Sequence, residues 1–313
     1  MFNKFEQQMA SRVELSSGIE LSNEAFHYID KFYQKVVVVK YGGSAMDSEE
    51  SQKLVLKDVV TLKNLGLRPV LVHGGGKEIS KCLSKPGVTP TFVQGYRKTD
   101  SDTMKVVEMV LNRINERLVN SIRELGGRAV GISGNNAGLL HARKKVIKRY
   151  DEEEKKDVEY DIGYVGEIDA VNAKIITGWL DKDYIPVICP VGYGDNHEPY
   201  NINADDAACA VAKAMQSEKL AFLSDVPGIY QDRDDPASLI SELDASKIDE
   251  LLSSGKIVGG MIPKLKSCQE AIQNGVKSIL IMNAKTPQSL LLEVLTDNGV
   301  GTMIRGESKN SPI

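Results

Sequence analysis

VVVVKYGGSAM, residues Val36 to Met46, is the stretch on which the fold turns. Four valines run into a lysine, a tyrosine and two glycines. A short run of β-branched residues bounded by turn residues reads as a buried strand. Its end carries a cation, Lys40, beside two residues without side chains, Gly42 and Gly43. Two readings of that junction stand open. It is a tight strand-to-helix turn, or it is a place where an anion comes close to backbone N–H groups.

Outward from this stretch the chain alternates. EESQKLVLKDVVTLKNLG reads as a helix stopping at Gly66, and RPVLVHGGG as a strand ending in glycines. DTMKVVEMVLNRINERLVNSIRELGG is a long helix, followed by the strand RAVGISG. YIPVICPVGYG, KLAFLSDVPGIY and VKSILIMN are further short apolar strands, with NADDAACAVAKAM and LKSCQEAIQNG as helices between them. Apolar strands alternating with amphipathic helices predict an α/β chain, a three-layer sandwich around a mostly parallel open sheet. Ligands in such folds bind outside the carboxyl ends of the strands, where the glycine clusters fall. RKKVIKRYDEEEKKDVEYDIGYVGEI breaks the rhythm and reads as a solvated hairpin or loop. Residues 1–34 read as a separate leader. In it LSNEAFHYIDKFY spaces Leu21, Ala25, Tyr28, Ile29, Phe32 and Tyr33 as a helix, with Ser22 or Asn23 as its cap. A change of role near Asn201 divides the remainder into residues 35–200 and 201–313.

The formal net charge of −4 gives no basic footprint for nucleic acid. The apolar runs fall well short of the roughly 20 residues that span a bilayer. The first residues lack the apolar core of a secretory signal, and Glu6, Glu14 and Glu20 do not suit an organellar transit peptide. A cytoplasmic location is expected, or a plastid stroma where a transit peptide has been removed. Cys82, Cys189, Cys209 and Cys268 form no C-x-x-C pair and read as reduced, mostly buried thiols. His27, His73, His141 and His197 lack metal-ligand spacing, so no protein metal site is expected.

Three clusters could carry chemistry. HGGGKEI is a second glycine turn after a strand, with Gly75 and Gly76, and would face the first with Lys40 between them. Familiar phosphate motifs are absent: HGGGKE lacks the earlier glycine and the hydroxyl residue of a G-x-x-x-x-G-K-[ST] loop, and no G-x-G-x-x-G opens a helix. In NINADDAACA, Asn201, Asn203 and Asp205 precede an alanine-rich helix. Asn203 caps that helix and Asp205 suits its positive end, or Asp205 holds lysines in place. In GGMIPKLKSC, Lys264 follows Gly259, Gly260 and Pro263. It is a surface lysine, or a second cation opposite Lys40, as phosphoryl transfer requires.

VVVVKYGGSAM, LRPVLVHGGGKEI, GYRKTD, GYVGEI, YNINADDAA, LSDVPGIY, GGMIPKLKSC and GVGTMI, in that order and spacing, resemble the amino-acid kinase family over residues 20–306. The resemblance implies that Lys40 and Lys264 stabilise the transferring phosphoryl group and that Asp205 orients both. It implies backbone contacts from Gly42 and Gly43 to phosphate oxygens, and from Gly75 and Gly76 to the substrate. Arg97 would pair with the substrate α-carboxylate, for which a planar guanidinium is the right shape. Asn201 would bind the acetamido end. Ser224, Asp225, Gly228 and Tyr230 would hold ATP. The implied reaction is attack of the side-chain carboxylate of N-acetyl-L-glutamate on the γ-phosphate of Mg·ATP, giving an acyl phosphate in arginine biosynthesis. Mg2+ is carried by ATP, and no general base is needed because a carboxylate is ionised at neutral pH. The alternatives are a paralogous kinase for another acidic or N-acylated amino acid, and a non-catalytic regulatory protein on the same fold. The leader helix resembles that of arginine-sensitive members, which implies a hexamer built as a trimer of dimers. A PII-type regulator, which binds some plant and cyanobacterial members, is a further candidate partner.

The chain also departs from the family pattern. Lys77 stands where a proline is usual, and Tyr96 and Lys98 flank Arg97 where the pattern is GLRVT. Asn135 and Asn136 replace the end of SGKD, and Asn283, Ala284 and Lys285 replace the end of IIDGR. The histidine and glutamate of arginine-sensitive members are Gln288 and Asn298 here, with Glu293 and Asp297 nearby. A weak or absent response to arginine is therefore expected.

Overall fold

In the computed structural model, residues 23–46, 48–84, 91–151, 155–232, 235–257, 259–296 and 299–306 are described. The valine run forms the strand Val36–Tyr41 inside an eight-stranded sheet. The strand order is Glu242–Asp244, Thr302–Arg305, Ser278–Asn283, Lys219–Ser224, Val36–Tyr41, Arg68–His73, Ile185–Cys189, Ala129–Ser133. From Ser278–Asn283 to Ala129–Ser133 every neighbour is parallel. Thr302–Arg305 runs antiparallel to Ser278–Asn283, and Glu242–Asp244 lies parallel to Thr302–Arg305. The mostly parallel open sheet expected from the sequence is the one that forms.

Alternation along the strands builds the two outer layers. Val37, Val39 and Tyr41 face one core, with the helices Asn23–Phe32, Glu49–Asn64, Ser101–Glu124 and Ser289–Leu295. Val38 faces the other, with Ala173–Leu180, Ala204–Ala214 and Met261–Gln273. Val37, Val38 and Val39 are wholly buried, and each such side chain contributes about 1.5–3 kcal/mol on leaving water. Three α-helix starts among the described residues carry side-chain caps, that of Asn203 as expected from the sequence. Ser48, Asp100 and Asn203 accept hydrogen bonds from the N–H groups of Ser51, Thr103 and Asp205. Each cap stabilises by about 1 kcal/mol.

Two apolar runs divide where the sequence suggested single strands. YIPVICPVGYG forms Ile185–Cys189 in the sheet and Val191–Tyr193 in a closed four-stranded barrel with Pro199–Ile202, Val165–Val171 and Leu140–Lys144. Pro190 has no N–H to continue the ladder, and its carbonyl accepts from Ile202 N instead (3.1 Å). KLAFLSDVPGIY stops at Ser224, and Ile229–Tyr230 then pairs with Leu239–Ile240. The charged segment is a hairpin, Ile147–Asp151 against Lys156–Tyr160.

In the leader, Leu21, Ser22 and the three glutamates lie outside the described residues, and the helix is described over Asn23–Phe32. Its Ala25, Ile29 and Phe32 are buried against the core of their own chain, while Tyr33 is exposed.

Candidate active site

The parallel sheet delivers Lys40 to the carboxyl edge of its strand, and the two glycine turns meet there. A Cβ on Gly42 would stand 3.3 Å from Gly74 Cα and 3.3 Å from Lys40 Nζ. Gly74 N–H donates to Tyr41 O (2.7 Å), which ties the turns together. Gly43 takes φ +67, the left-handed region that glycine enters without a side-chain clash. Gly75 is needed for close packing: a Cβ there would overlap Leu111 (2.6 Å) and Ile114 (2.7 Å) of the long helix. Gly76 opens the helix Gly76–Leu83 with free space around its Cα.

His73 braces the second turn from below. It is fully buried, with Nδ1 donating to Gly74 O (2.9 Å) and Nε2 accepting from Asn115 Nδ2 (3.1 Å). Asn115 also donates to Val187 O (2.9 Å), linking the long helix, the turn and a third strand. Burial lowers the His73 pKa to about 4, so the ring is neutral and can act as donor and acceptor at once.

Asp205 joins the two lysines. Lys40 Nζ lies 2.9 Å from Asp205 Oδ1, and Lys264 Nζ donates to Asp205 Oδ2. The side chains are 14%, 12% and 21% exposed for Lys40, Lys264 and Asp205, so the cluster is open to a ligand. Burial alone would raise the carboxyl pKa of Asp205. The charges of Lys40 and Lys264 outweigh it and hold the group well below the usual carboxylate range. Lys264 also lies 4.4 Å from the ring centroid of Phe222, the register partner of Lys40. Two cations fixed by one carboxylate cannot relax away from each other, so an anion entering between them meets charge already in place.

Lys40 and Asp205 rim a cavity of about 450 Å³. Its wall includes Lys40, Gly43, Gly75, Gly76, Arg97, Asn201 and Asp205. Arg97 is 7% exposed and stacks on Phe92, with Cζ 4.7 Å from the ring centroid. Its Nη2 donates to Gly76 O (2.9 Å) and Ser80 Oγ (2.7 Å), while its buried Nη1 has no hydrogen-bond partner among the described residues. A buried guanidinium with a spare donor at a cavity wall suits a carboxylate. Asn201, also on this wall, donates from Nδ2 to Thr99 Oγ1 (3.2 Å).

Gly42 and Lys264 stand just behind that wall, in contact with Lys40 and Asp205. Ser224, Asp225, Gly228 and Tyr230 do not line the cavity. They follow the end of Lys219–Ser224, one strand over from Val36–Tyr41. Asp225 is exposed and accepts from Ser224 Oγ (3.3 Å). Gly228 has a packing reason for its identity, since a Cβ would stand 2.4 Å from Thr302 Oγ1. Sequence reasoning missed His73, Asn115 and Ser80 as supports, and the contact of Tyr96 with Asp206. A histidine in an apolar strand just before the glycines was the one legible sign among them.

The class that this architecture defines is an open parallel α/β protein holding cations and glycine turns at the carboxyl edge of its sheet, where phosphate-bearing ligands are held. The amino acid kinase family model matches residues 35–283, and the chain belongs to that family. It is 48% identical over 282 residues to an acetylglutamate kinase of Moorella thermoacetica, covering 90% of this chain and 95% of that one. It is 44% identical over 293 residues to an acetylglutamate kinase of Methanocaldococcus jannaschii, covering 93% and 97%. Among solved structures, N-acetylglutamate synthase from Neisseria gonorrhoeae aligns with a TM-score of 0.77 at 26% identity. That alignment covers 91% of this chain and 62% of the synthase. Carbamate kinase from Giardia lamblia shares the fold, with a TM-score of 0.62 at 17% identity over 87% of this chain and 99% of that one.

Proposed function

We propose that this protein transfers the γ-phosphoryl group of ATP to the side-chain carboxylate of N-acetyl-L-glutamate, as an acetylglutamate kinase of arginine biosynthesis. The observation that carries the reading is the Lys40–Asp205–Lys264 cluster at one side of a cavity whose wall holds Arg97 with an unpaired donor. In the reaction a carboxylate oxygen forms a bond to Pγ, the Pγ–O bond to ADP breaks, and ADP leaves with that electron pair. No proton is transferred at the attacking oxygen. The developing charge sits on the phosphoryl oxygens and the leaving oxygen, where Lys40 and Lys264 stabilise it from fixed positions. Backbone N–H groups at Gly42 and Gly43 add donors without the cost of reorganisation. Arg97 takes the α-carboxylate, Gly75 and Gly76 approach the substrate closely, and Asn201 meets the acetamido group. Ser224, Asp225, Gly228 and Tyr230 would hold ATP, which would bring its own Mg2+ to neutralise phosphate charge.

On this reading residues 35–200 serve the amino-acid substrate and 201–313 serve ATP, within one continuous sheet. Among the described residues no helix is long and apolar enough to cross a membrane, and a cytoplasmic enzyme is the setting we favour over a plastid one. ADP release measured in parallel with N-acetyl-L-glutamate, glutamate, aspartate and N-acetyl-aminoadipate tests the substrate. Turnover on N-acetyl-L-glutamate above the others is expected, and turnover on another acid alone would reassign the enzyme. We further propose that the leader assembles dimers into a hexamer, on which a PII-type regulator would act. Because Ala25, Ile29 and Phe32 pack on their own chain, the deletion that tests this is residues 1–22. Light scattering should then report a dimer in place of a hexamer, and an unchanged mass would refute the assignment.

A further inference from the structure

Arg97 sits on a two-stranded hairpin, Phe92–Val93 against Tyr96–Arg97. Its turn residues Gln94 and Gly95 have φ +49 and +85, the left-handed pair that a tight hairpin turn requires. So short a hairpin has little stability of its own and depends on what it touches. Gln94 Nε2 donates to Lys148 O (3.2 Å), and Arg97 reaches Gly76 and Ser80. Val93 and Tyr96 also pack on Ile147, Ile162 and Val165, and Thr99 Oγ1 donates to Arg97 O (2.8 Å). One further tie crosses the molecule. Tyr96 OH donates to Asp206 Oδ2 (3.1 Å), and Lys145 Nζ lies 4.5 Å from the Tyr96 ring centroid.

Asp206 is the neighbour of Asp205 in the first turn of Ala204–Ala214. Its other oxygen accepts from Ser267 Oγ (3.3 Å), and Ser267 lies one turn beyond Lys264 on Met261–Gln273. The two aspartates therefore serve different partners. Asp205 joins Lys40 to Lys264, and Asp206 joins the Arg97 hairpin to the helix that carries Lys264. Tyr96 also lines both the substrate cavity and a second cavity, of about 330 Å³, that holds Lys145, Glu167 and Asp206. The ring is thus a partition between the two spaces, fixed at its hydroxyl.

We infer that Tyr96 and Asp206 form a positioning bridge, which sets the distance between the carboxylate clamp at Arg97 and the phosphoryl lysines. The inference rests on the amino-acid kinase reading of the cavity for its kinetic consequence, but not for its mechanical one. A substrate held at one end by Arg97 presents its other carboxylate to phosphorus only when that distance is right, and small misplacements of a bound group weaken the productive pose.

The test uses the full chain with Tyr96→Phe, Asp206→Ala and the double variant. Tyr96→Phe keeps the ring and its contact with Lys145 and removes the hydroxyl. It should raise KM for N-acetyl-L-glutamate about fivefold, as expected for losing one charge-assisted hydrogen bond partly coupled to binding, with KM for ATP within about twofold. Hydrogen exchange of residues 92–98, without substrate, should quicken in the same variant. In the Asp206→Ala background, Tyr96→Phe should add nothing further to either readout, because the partner is already gone. Unchanged exchange in Tyr96→Phe would overturn the bridge, as would additive effects in the double variant. These outcomes separate the two proposals. A wild-type chain that does not phosphorylate N-acetyl-L-glutamate sinks the function and leaves the exchange measurement to judge the bridge. Wild-type turnover with unchanged exchange in Tyr96→Phe sinks the bridge and leaves the function standing.

Discussion

Lys40 and Lys219 stand on adjacent strands of one sheet, the first ion-paired with a carboxylate and the second buried and influenced by carboxylates only through their charge. Lys40 lies toward the carboxyl end of Val36–Tyr41, opposite Phe222, whereas Lys219 begins the next strand, opposite Val37. Lys40 shares Asp205 with Lys264 and faces a cavity. Lys219 is 7% exposed, lies 4.9 Å from the Phe32 ring centroid and feels the charges of Glu293 and Glu218. Burial pushes the Lys219 pKa down and Glu293 restores part of it. Glu293 is itself engaged, accepting from Gly301 N (2.6 Å). Similar residue types thus make an open cluster at the carboxyl end of one strand and a buried charge at the start of the next. Parallel strands present their carboxyl ends to ligands because the loops there are free to leave space. At the opposite end Lys219 is covered by Phe32 of the leader helix.

The largest effect expected separates these two lysines directly. Lys40→Ala or Lys264→Ala should lower kcat by about 10²–10³, the usual loss when one donor to developing charge is removed. Arginine at either position should not restore the rate, since a planar fork does not replace a point charge in a tight site. Lys219→Met should leave kcat near that of the parent and change stability only modestly, because Glu293 keeps its hydrogen bond from Gly301 N and loses only a nearby charge. Steady-state assays beside thermal melts decide this. A kcat loss in Lys219→Met as large as in Lys40→Ala would erase the distinction.

A second effect concerns the brace beneath the cavity. His73 has a folded pKa of about 4 against an ordinary 6.5. Between those values the unfolded chain binds more protons than the folded one, so stability falls as pH falls. The full loss is about 3 kcal/mol by pH 4. Asp58 works in the other sense. Burial raises its pKa to about 7 despite N–H donors from Leu290 and Leu291, so the folded chain binds more protons there and stability rises as pH falls below 7. The His73 part is therefore read as a difference. Urea unfolding of wild type and His73→Gln across pH 7 to 4 should give a shallower acid loss in the variant. Parallel curves would show that His73 is not the titrating group.

Arg97→Ala should raise KM for N-acetyl-L-glutamate roughly 30- to 150-fold, about 2–3 kcal/mol, with KM for ATP nearly unchanged. Removing the guanidinium also frees Gly76 O and Ser80 Oγ from their donor, so a melting curve accompanies the kinetics. A change in KM for ATP alone would move Arg97 to the other half of the site.

How much of this was legible in the sequence follows from where the signal lies. The valine run, Gly43 with its positive φ and the Asn203 cap are local features, and a short window contains their cause. Pro190 was visible, but its effect, sending one apolar run into two sheets, depends on the barrel strand Pro199–Ile202 arriving to accept the second half. Tyr96 and Asp206 are 110 positions apart, and neither carries a local mark of the other. The same holds for Lys219 and Glu293. Lys40, Asp205 and Lys264 were recoverable because family resemblance supplies the long-range pairing that periodicity lacks.

The smallest expected effect is a response to free arginine, and it probes the buried end around Lys219 and Glu293. A site for this ligand needs an anion for its guanidinium and groups for its carboxylate and amine. The histidine and glutamate that the arginine-sensitive pattern carries are Gln288 and Asn298 here, and Asn298 and Asp297 lie outside the described residues. Gln288 takes φ +58 as the N-cap of Ser289–Leu295, without a side-chain cap hydrogen bond. Glu293, the nearby carboxylate that could compensate, is 4% exposed and committed to Gly301 N and to the Lys219 charge. A neutral asparagine makes a hydrogen bond about half as strong as a charge-assisted one. We expect about 1 mM L-arginine to change the rate by no more than about twofold, a shift of roughly 0.4 kcal/mol. Inhibition curves on wild type and on Gln288→His with Asn298→Glu check this. Strong inhibition of wild type at lower arginine would mean that this buried end opens to a ligand after all. Sensitivity gained only in the double variant would sharpen the contrast, because two side chains would then suffice to turn a packing cluster into a site.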